Sequence, residues 1–246
     1  MAAWRRGTAV RPVAGGRFHA AGDRRLIRRL DQPGLERAVA ELAERDPDIA
    51  GIVARYGPPP LWDRPPGFGT LVHIILEQQV SLASAKAAYD RLLAATEPLT
   101  PQAFLRLSDG ELLAIGFSRQ KARYGRALAA AILEGGLDLD ALETVDDDLV
   151  QTALEAVPGI GRWTSTIYLL MVLGRPDVWP TGDIALATAV GQAKGLSARP
   201  DPMTLMKLGE VWRPWRSVAA RVFWHDYLAR RRRTAGAVEE DGDTSL

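Results

Sequence analysis

The segment from Leu154 to Thr164 constrains the fold more than any other part of the sequence, because its pattern predicts a short turn between two helices. Pro158 stops the first helix, while Gly159 and Gly161 permit positive φ and place no side chain between the backbone and a bound group. Ile160 can fill the space between the helices. The second helix then begins with unpaired amides, at the end of the helix dipole that favours an anion. Such a turn can hold one phosphate without contacting a base, although a plain turn between two helices explains the same glycines.

Capping signals elsewhere predict a series of short helices. Residues that favour the N-cap position occur at Thr100, Ser108, Ser118 and Thr144. Apolar side chains keep helical spacing from Leu71 to Leu92, with a break predicted at residues 79–81. No segment alternates apolar and polar residues in the manner of a half-buried strand. The predicted fold class is therefore all-α, with many short helices and short loops.

Composition excludes several classes of protein. The 246 residues carry a formal net charge of +1 and contain no cysteine. A disulfide framework, a thiolate nucleophile and cysteine-ligated zinc or iron–sulfur sites are thereby ruled out. The longest apolar run, Ile167 to Leu173, is far too short to span a bilayer, and arginines interrupt any signal-peptide core near the N-terminus. A reducing cellular interior is thereby permitted, and no membrane partner is expected.

Three parts follow one another along the chain. Residues 1–29 are rich in arginine, glycine and alanine without clear periodicity, and they are predicted to form a loosely ordered arm. Residues 30–233 contain the helical signals. Residues 234–246 are polar and acidic and are predicted to form a disordered tail.

Four short motifs occur in order along the middle of the chain. They are Ile75–Ser81, Pro158–Thr164, Trp179–Asp183, and Trp212–Ser217 leading to Phe223 and Trp224. Together they resemble the helix-hairpin-helix superfamily of DNA glycosylases, and within it the 3-methyladenine DNA glycosylase II family. The likeness covers about residues 66–228. It implies two helical lobes with a cleft between them, the middle lobe at about residues 70–175 and the N- and C-terminal helices forming the second.

The resemblance also implies a function. It predicts a monofunctional DNA glycosylase of base excision repair, acting on double-stranded DNA that contains a damaged base. We expect such a protein to be a monomer in the cytoplasm, associated with the nucleoid if the source is bacterial. Such an enzyme flips out an alkylated purine of the 3-methyladenine or 7-methylguanine type and hydrolyses its N-glycosidic bond, leaving an abasic site. Two other functions stay open: a glycosylase for another lesion such as hypoxanthine or uracil, and a helix-hairpin-helix DNA-binding protein without catalysis.

Asp183 holds the place of the family's catalytic carboxylate, which stabilises positive charge on the sugar. An aspartate before a helix is also a common N-cap, and the two roles are compatible. Bifunctional relatives have a nucleophilic lysine where this chain has Trp163, so the resemblance implies hydrolysis by water. Trp163 and Trp224 would hold the flipped base, the alternative being simple core packing. Tyr168 is a third candidate for the pocket, since some relatives have a tyrosine where this chain has Ile167.

Further positions are carried over from the same likeness. Gln79 matches the residue that fills the space left by the flipped base, and Gln78 beside it is the second candidate for that wedge, although a buried structural amide is favoured for Gln78. Contacts to a DNA phosphate are predicted for Gly159, Ile160, Gly161, Arg162 and Thr164. No cofactor is implied, apart from a monovalent cation, Na⁺ or K⁺, at hairpin carbonyls such as those of Val157 and Ile160.

The sequence does not decide the role of two groups of basic residues. Ser118, Arg119, Lys121 and Arg123 cluster at a predicted helix start, and Arg213 and Arg216 flank Pro214-Trp215. Either group can contact phosphates. A solvated helix end explains the first group equally well, and ion pairs with carboxylates explain the second.

Overall fold

The structure is a computed structural model, which describes residues 29–242 and the side chains as far as residue 233. Most of the predicted arm, residues 1–28, lies outside the described residues, as do residues 243–246 of the predicted tail. The described part of the chain contains twelve α-helices and no strand, which confirms the all-α prediction. In chain order they are α1 (Gln32–Arg45), α2 (Pro47–Tyr56), α3 (Phe68–Glu77), α4 (Leu82–Ala95), α5 (Pro101–Arg106), α6 (Asp109–Ile115), α7 (Arg119–Leu133), α8 (Asp147–Glu155), α9 (Arg162–Met171), α10 (Ile184–Ala193), α11 (Pro202–Gly209) and α12 (Arg216–Gly242).

Local capping explains where many of these helices begin. Thr100 caps α5, Ser108 forms a capping box with Glu111 at α6, and Ser118 caps α7, each as predicted. The prediction for Thr144 is wrong. Its hydroxyl donates back to the carbonyl of Ala141 and closes a 3₁₀ turn, so that α8 begins only at residue 147.

The closing helix is longer than predicted. We expected a disordered tail from residue 234, but α12 continues past Arg233 to Gly242. The segment from 234 to 242 contains alanine and glutamate and no proline, so the change to acidic composition does not stop the helix. Within the described range, no helix combines the length and the apolar character that a bilayer span requires.

The helices pack in two groups, as the two-lobe prediction requires. In the middle of the chain, α3 packs against α4, α7 and α9, while α5 packs against α7 and α8 against α9. In the other group, α1 and α2 pack together and against α12, which also packs against α10. The core side chains of both groups form one continuous apolar cluster. The lobes are therefore two parts of one packed body.

Arg221 of α12 links the two groups through the interior. Arg221 is 1% exposed, and its guanidinium donates to the carbonyls of Leu61 at 2.7 Å, Leu170 at 2.8 Å and Ser217 at 3.0 Å. Leu170 belongs to α9, so this bond joins the middle lobe to α12. Burial lowers the pKa of Arg221 to about 10, which still leaves the side chain charged at neutral pH. The link fixes α9 and α12 relative to each other, and these two helices carry the candidate site.

Candidate active site

Asp183 lies directly before α10 and caps it, because its Oδ1 accepts the backbone N–H of Leu186 at 2.7 Å. The same carboxylate also accepts two indole N–H groups. Trp163 Nε1 donates to Oδ2 at 2.9 Å, and Trp224 Nε1 donates to Oδ1 at 3.1 Å. Three N–H donors suit an ionised carboxylate, which only accepts hydrogen bonds. The predicted proximity of this acid to the two indoles is therefore present, through direct bonds.

The two tryptophans approach Asp183 from different lobes. Trp163 lies in the first turn of α9, and Trp224 lies in α12. Trp224 is 7% exposed, whereas Trp163 keeps a partly exposed surface and packs against the core with its remainder. Core packing and a place in the site are thus compatible for both residues. Since each N–H is held by the carboxylate, the orientation of both indole rings at the site is fixed.

The turn between α8 and α9 forms the predicted helix-hairpin-helix unit. Gly159 has φ +93°, and a Cβ there would overlap the ring of Tyr124. Both the backbone conformation and the packing therefore require glycine at this position. Gly161 differs from the prediction: its φ is −102°, which any residue adopts, and a Cβ there would meet no atom within 4 Å. Neither conformation nor internal packing explains a glycine at 161. The space beside the Gly161 backbone is open, and the predicted phosphate contact there stays a prediction.

Two hairpin residues have internal roles that differ from the predicted phosphate contact. Ile160 is 4% exposed and fills the space between the helices, while its N–H donates to the Val157 carbonyl. Thr164 is 1% exposed, and its hydroxyl accepts a hydrogen bond from Gln78. Both side chains are packed inside the hairpin, so a phosphate contact from Thr164 would be made by its backbone amide in the first turn of α9. The phosphate contacts of these two residues stay predictions.

Arg162 stays available at the surface of the hairpin. It is exposed and bonds to Gln151 and, at 3.5 Å, to Glu155. No side chain of the described residues caps the first amides of α9, whose N-cap is Gly161. Gly161, the first amides of α9 and the guanidinium of Arg162 thus form the outer surface of the hairpin, where a phosphate contact stays a prediction.

The two glutamines between α3 and α4 divide into an internal and an external residue, as the sequence favoured. Gln78 Nε2 donates to the Gly159 carbonyl and to Thr164 Oγ1, each at 2.9 Å. Gln79 is exposed and has φ +57°, the left-handed conformation that a non-glycine residue seldom adopts. The turn therefore presents Gln79 outward while Gln78 fastens it to the hairpin.

Sequence reasoning missed Tyr124 and the internal role of Lys121, two residues of α7 that hold this arrangement together. Lys121 Nζ donates to the carbonyl of Leu76 at 2.7 Å, close to the end of α3, and burial lowers the pKa of this lysine. The ring of Tyr124 packs over Gly159, and its hydroxyl accepts a hydrogen bond from Gln120. The spacing of these residues three and six positions after the Ser118 cap carries no signal of a partner elsewhere in the chain.

Tyr168 was wrongly predicted to line the pocket. Its side chain is 0% exposed, and it lies five residues after Trp163 on the same helix. Five residues correspond to about 140° of rotation, which directs the tyrosine into the core rather than alongside the indole. Burial raises the pKa of its phenol to about 12.

Arg213 and Arg216 take the second of their two open roles. Arg213 Nη1 contacts Asp177 at 2.9 Å, and Arg216 Nε contacts the same carboxylate at 2.8 Å. Glu210 also pairs with both arginines. These guanidinium groups form an ion-pair network on the protein, which leaves them poorly placed to supply free charge to a phosphate.

No cluster of three or more histidine, aspartate or glutamate side chains that could hold a metal ion occurs among the described residues. The carbonyl of Val157 accepts the N–H of Ile160 at 3.0 Å and has a second lone pair, as every backbone carbonyl does. Neutral carbonyl oxygens suit a hard monovalent cation. Binding of Na⁺ or K⁺ at Val157 and Ile160 stays a prediction.

The fold and the site together define a class of protein. A helix-hairpin-helix unit lies in one of two helical lobes, and a carboxylate fixed by an indole from each lobe lies beside it. This chain belongs to the HhH-GPD superfamily of base excision DNA repair proteins, whose family model matches residues 72–214.

Individual relatives agree with that assignment. The chain is 30% identical over 214 residues to a Mycobacterium tuberculosis protein named probable bifunctional transcriptional activator/DNA repair enzyme AlkA, covering 81% of this chain and 41% of that one. It is 28% identical to DNA-3-methyladenine glycosylase 2 of Escherichia coli, covering 64% of this chain and 54% of the relative. The chain therefore spans only about half the length of these bacterial relatives.

Two solved structures share the fold. The DNA-3-methyladenine glycosidase of Bacillus halodurans superposes with a TM-score of 0.63 at 30% identity, covering 81% of this chain and 91% of that one. The 3-methyladenine DNA glycosylase Mag1 of Schizosaccharomyces pombe, solved in complex with abasic DNA, gives a TM-score of 0.72 at 24% identity, covering 76% and 95%. At that identity, the second comparison supports the fold alone.

Proposed function

We propose that this protein is a monofunctional DNA glycosylase that removes alkylated purines from double-stranded DNA in base excision repair. The observation that carries the proposal is the carboxylate of Asp183, held by the indole N–H groups of Trp163 and Trp224. Relatives named DNA-3-methyladenine glycosylase support the substrate class. We further propose that the protein acts as a monomer in the cytoplasm.

The chemistry follows from the charge that the reaction develops. As the C1′–N bond of an alkylated, positively charged purine breaks, the base leaves as a neutral molecule and positive charge appears on the sugar. Asp183 would stabilise that charge and orient a water molecule that adds to C1′, with the proton of the water passing to the carboxylate or to solvent. The fixed position of the carboxylate means that little reorganisation is needed when the charge develops.

The residues around Asp183 would bind the DNA and the flipped base. A cationic purine is attracted to the face of an indole, which suits Trp163 and Trp224. Gln79, exposed at the tip of the α3–α4 turn, would occupy the gap left by the flipped nucleotide. Gly161 and the first amides of α9 would hold a backbone phosphate. Trp163 stands where bifunctional enzymes have a lysine, so no Schiff base can form through that position.

Free-base release from duplexes containing 7-methylguanine, 3-methyladenine, hypoxanthine or uracil tests the proposal. We expect release of the methylated purines by the unmodified protein and a loss of at least about 100-fold for Asp183→Asn, since a negative charge close to the reacting centre is removed. Asn also caps helices well, so α10 should remain folded. Asp201→Asn, at the cap of α11, is the matched control and should keep full activity.

The outcomes separate the alternatives. Release of hypoxanthine or uracil alone would assign another lesion, and lesion binding without release of any base would leave a DNA-binding protein. Borohydride treatment during the reaction should trap no covalent protein–DNA adduct. A trapped adduct would contradict the monofunctional mechanism.

A further inference from the structure

A buried ion pair joins Arg64 to Glu77, outside the site described above. Arg64 Nη1 donates to Glu77 Oε2 at 2.9 Å and Nη2 donates to Oε1 at 2.8 Å, so one carboxylate engages two donors of the guanidinium. The side chain of Glu77 is 7% exposed and that of Arg64 is 23% exposed. His73 Nε2 lies 3.7 Å from Oε1, but burial lowers the pKa of this histidine, so Arg64 supplies the positive charge that balances Glu77 at neutral pH.

Glu77 is the first residue of the turn that carries Gln79. It ends α3, and its carbonyl accepts the N–H of Val80 at 3.5 Å. The helix dipole disfavours a carboxylate at this end, and the last turn of α3 has no basic residue to offset it. A buried ion pair is in addition often no more stabilising than an apolar pair of similar size. The stability of α3 therefore does not explain why a charged pair lies at this position.

Arg64 belongs to the segment that connects the two lobes. Residues 57–67 join α2 of one lobe to α3 of the other. The backbone N–H of Arg64 donates to the carbonyl of Met171, at the end of α9, at 2.9 Å. Within the same segment, the carbonyl of Leu61 accepts a hydrogen bond from Arg221 of α12 at 2.7 Å. The segment is thus fastened to the two helices that carry the indoles of the candidate site.

Two separate connections therefore hold the Gln79 turn. Gln78 fastens it to the hairpin, which lies in the same lobe. Glu77, through Arg64, fastens it to the segment that bonds to α9 and α12. Because α12 belongs to the other lobe, the second connection relates the position of the turn to that of Trp224.

We propose that Arg64 and Glu77 are positioning residues for base flipping, and that their ion pair sets the place of Gln79 relative to the carboxylate of Asp183. The inference rests on the proposed function, in which Gln79 and Asp183 act on the same nucleotide. A displacement of about 1 Å far from the reacting atoms can cost about 100-fold in rate. Two parallel bonds from a planar guanidinium fix direction as well as distance, which suits this role.

Replacement of the pair by apolar side chains separates positioning from stability. Arg64→Met/Glu77→Leu roughly keeps the volume of the pair, so the free energy of unfolding in urea should equal or exceed that of the unmodified protein. The single-turnover rate of 7-methylguanine release should nevertheless fall by about 10- to 100-fold. Arg64→Lys keeps the charge without the planar pair of donors and should give an intermediate rate.

A signal that needs no catalysis reports the position of Gln79. The probe is a duplex with 2-aminopurine beside a stable abasic-site analogue, whose fluorescence should change when saturating protein inserts Gln79 into the gap. Gln79→Gly should abolish this change, and Arg64→Met/Glu77→Leu should lose most of it. If the unmodified protein gives the change but releases no base, the glycosylase is contradicted while the fluorescence of the variants still decides the inference. An unmodified protein without the change would overturn the inference.

Arg126→Met/Asp109→Leu is the matched control, because it removes an ion pair of 2.9 Å between α7 and α6. It should keep both base release and the fluorescence change. Full activity and a full signal in the folded Arg64→Met/Glu77→Leu protein, or an equal loss in the control, would overturn the inference. Should the apolar pair not fold, Glu77→Gln decides, since glutamine keeps the size of the side chain and one acceptor: a reduced signal supports positioning, and a full signal overturns it.

Discussion

The side-chain amide of Gln78 donates a hydrogen bond of 2.9 Å to the carbonyl oxygen of Gly159, although 81 residues separate them in the chain. A second bond from the same nitrogen reaches Thr164 Oγ1 at the start of α9. One amide thus joins the turn that presents Gln79 to both ends of the hairpin. The proposed wedge, Gln79, and the proposed phosphate site of the hairpin are thereby held at a fixed separation.

We predict that Gln78→Ala weakens this connection in two measurable ways. Loss of the donor leaves the half-buried Gly159 carbonyl without its partner, which should lower the free energy of unfolding in urea by about 1–2 kcal/mol. The single-turnover rate of base release should also fall, because Gln79 is no longer held in register with the hairpin.

Gln79→Gly is the matched comparison. Glycine adopts φ +57° without strain, so stability should be unchanged or slightly higher, while base release falls through loss of the wedge. If Gln78→Ala loses stability but keeps the full rate of release, the amide is structural only. If Gln79→Gly keeps the full rate of base release, Gln79 is not the residue that fills the space left by the flipped base.

The sequence predicts the parts of this site whose signals are local. The caps at Thr100, Ser108 and Ser118 follow from side chains that bond to amides three residues away, and Asp183 is placed by the same kind of signal. The resemblance adds the two indoles. Contacts across the fold carry no such signal.

Three particular residues show this limit. Lys121 caps the carbonyl of Leu76, 45 residues away, and nothing in the chain near either residue indicates it. The rotation of Tyr168 into the core depends on which face of α9 the other helices cover. Gly161 has a φ that any residue adopts, so the sequence gives no reason for a glycine at this position. Only the structure shows that a Cβ there would meet open space.

The two hairpin glycines should respond differently to alanine. Gly159→Ala forces a methyl group into the ring of Tyr124 at φ +93°, and we expect a loss of about 3 kcal/mol or more in the free energy of unfolding. Gly161→Ala meets no protein atom within 4 Å and should keep its stability within about 0.5 kcal/mol.

DNA affinity then distinguishes packing from recognition. At 20 °C, where both variants can be examined as folded protein by circular dichroism, Gly161→Ala should bind an abasic-analogue duplex at least about tenfold more weakly, since a methyl group of that size displaces a phosphate from the amides. Unchanged DNA affinity in Gly161→Ala would show that no phosphate binds against this position.

Trp163→Phe should separate the hydrogen bond from the aromatic face. Phenylalanine retains a ring for stacking but cannot donate to Asp183 Oδ2, a bond of 2.9 Å in the structure. Hydrogen bonds to charged groups contribute about 1.5–3 kcal/mol, so we expect the single-turnover rate of base release to fall by about 10- to 100-fold. Trp224→Phe removes the longer bond of 3.1 Å and should cost less. Equal rates in Trp163→Phe and the unmodified protein would show that the indole N–H does not position the carboxylate.

Asp46 should control the stability of the second lobe in acid. Its carboxylate caps α2 and is 7% exposed, and it accepts hydrogen bonds from Trp212 at 2.7 Å and from Lys194 at 2.8 Å. Burial pushes the pKa of Asp46 upward, but the bonds from Lys194 and Trp212 outweigh it and hold the pKa below its ordinary value of 3.8. A carboxyl whose folded pKa is depressed contributes stability above pH 3.8, and this contribution is lost as the pH falls through the folded value.

Urea unfolding between pH 5 and pH 2.5 measures this contribution. The free energy of unfolding of the unmodified protein should fall below pH 3.8, and Asp46→Asn should show a smaller fall over the same interval. At pH 7 the Asn variant retains the cap, and Lys194 keeps its ion pair with Asp48 alone, so the loss should be about 1–3 kcal/mol. Asp201→Asn, a cap without a cationic partner, serves as the control and should lose less at pH 7. Identical pH profiles for Asp46→Asn and the unmodified protein would mean that the acid sensitivity of the fold resides in other carboxylates, because the two proteins differ only in whether position 46 can be protonated.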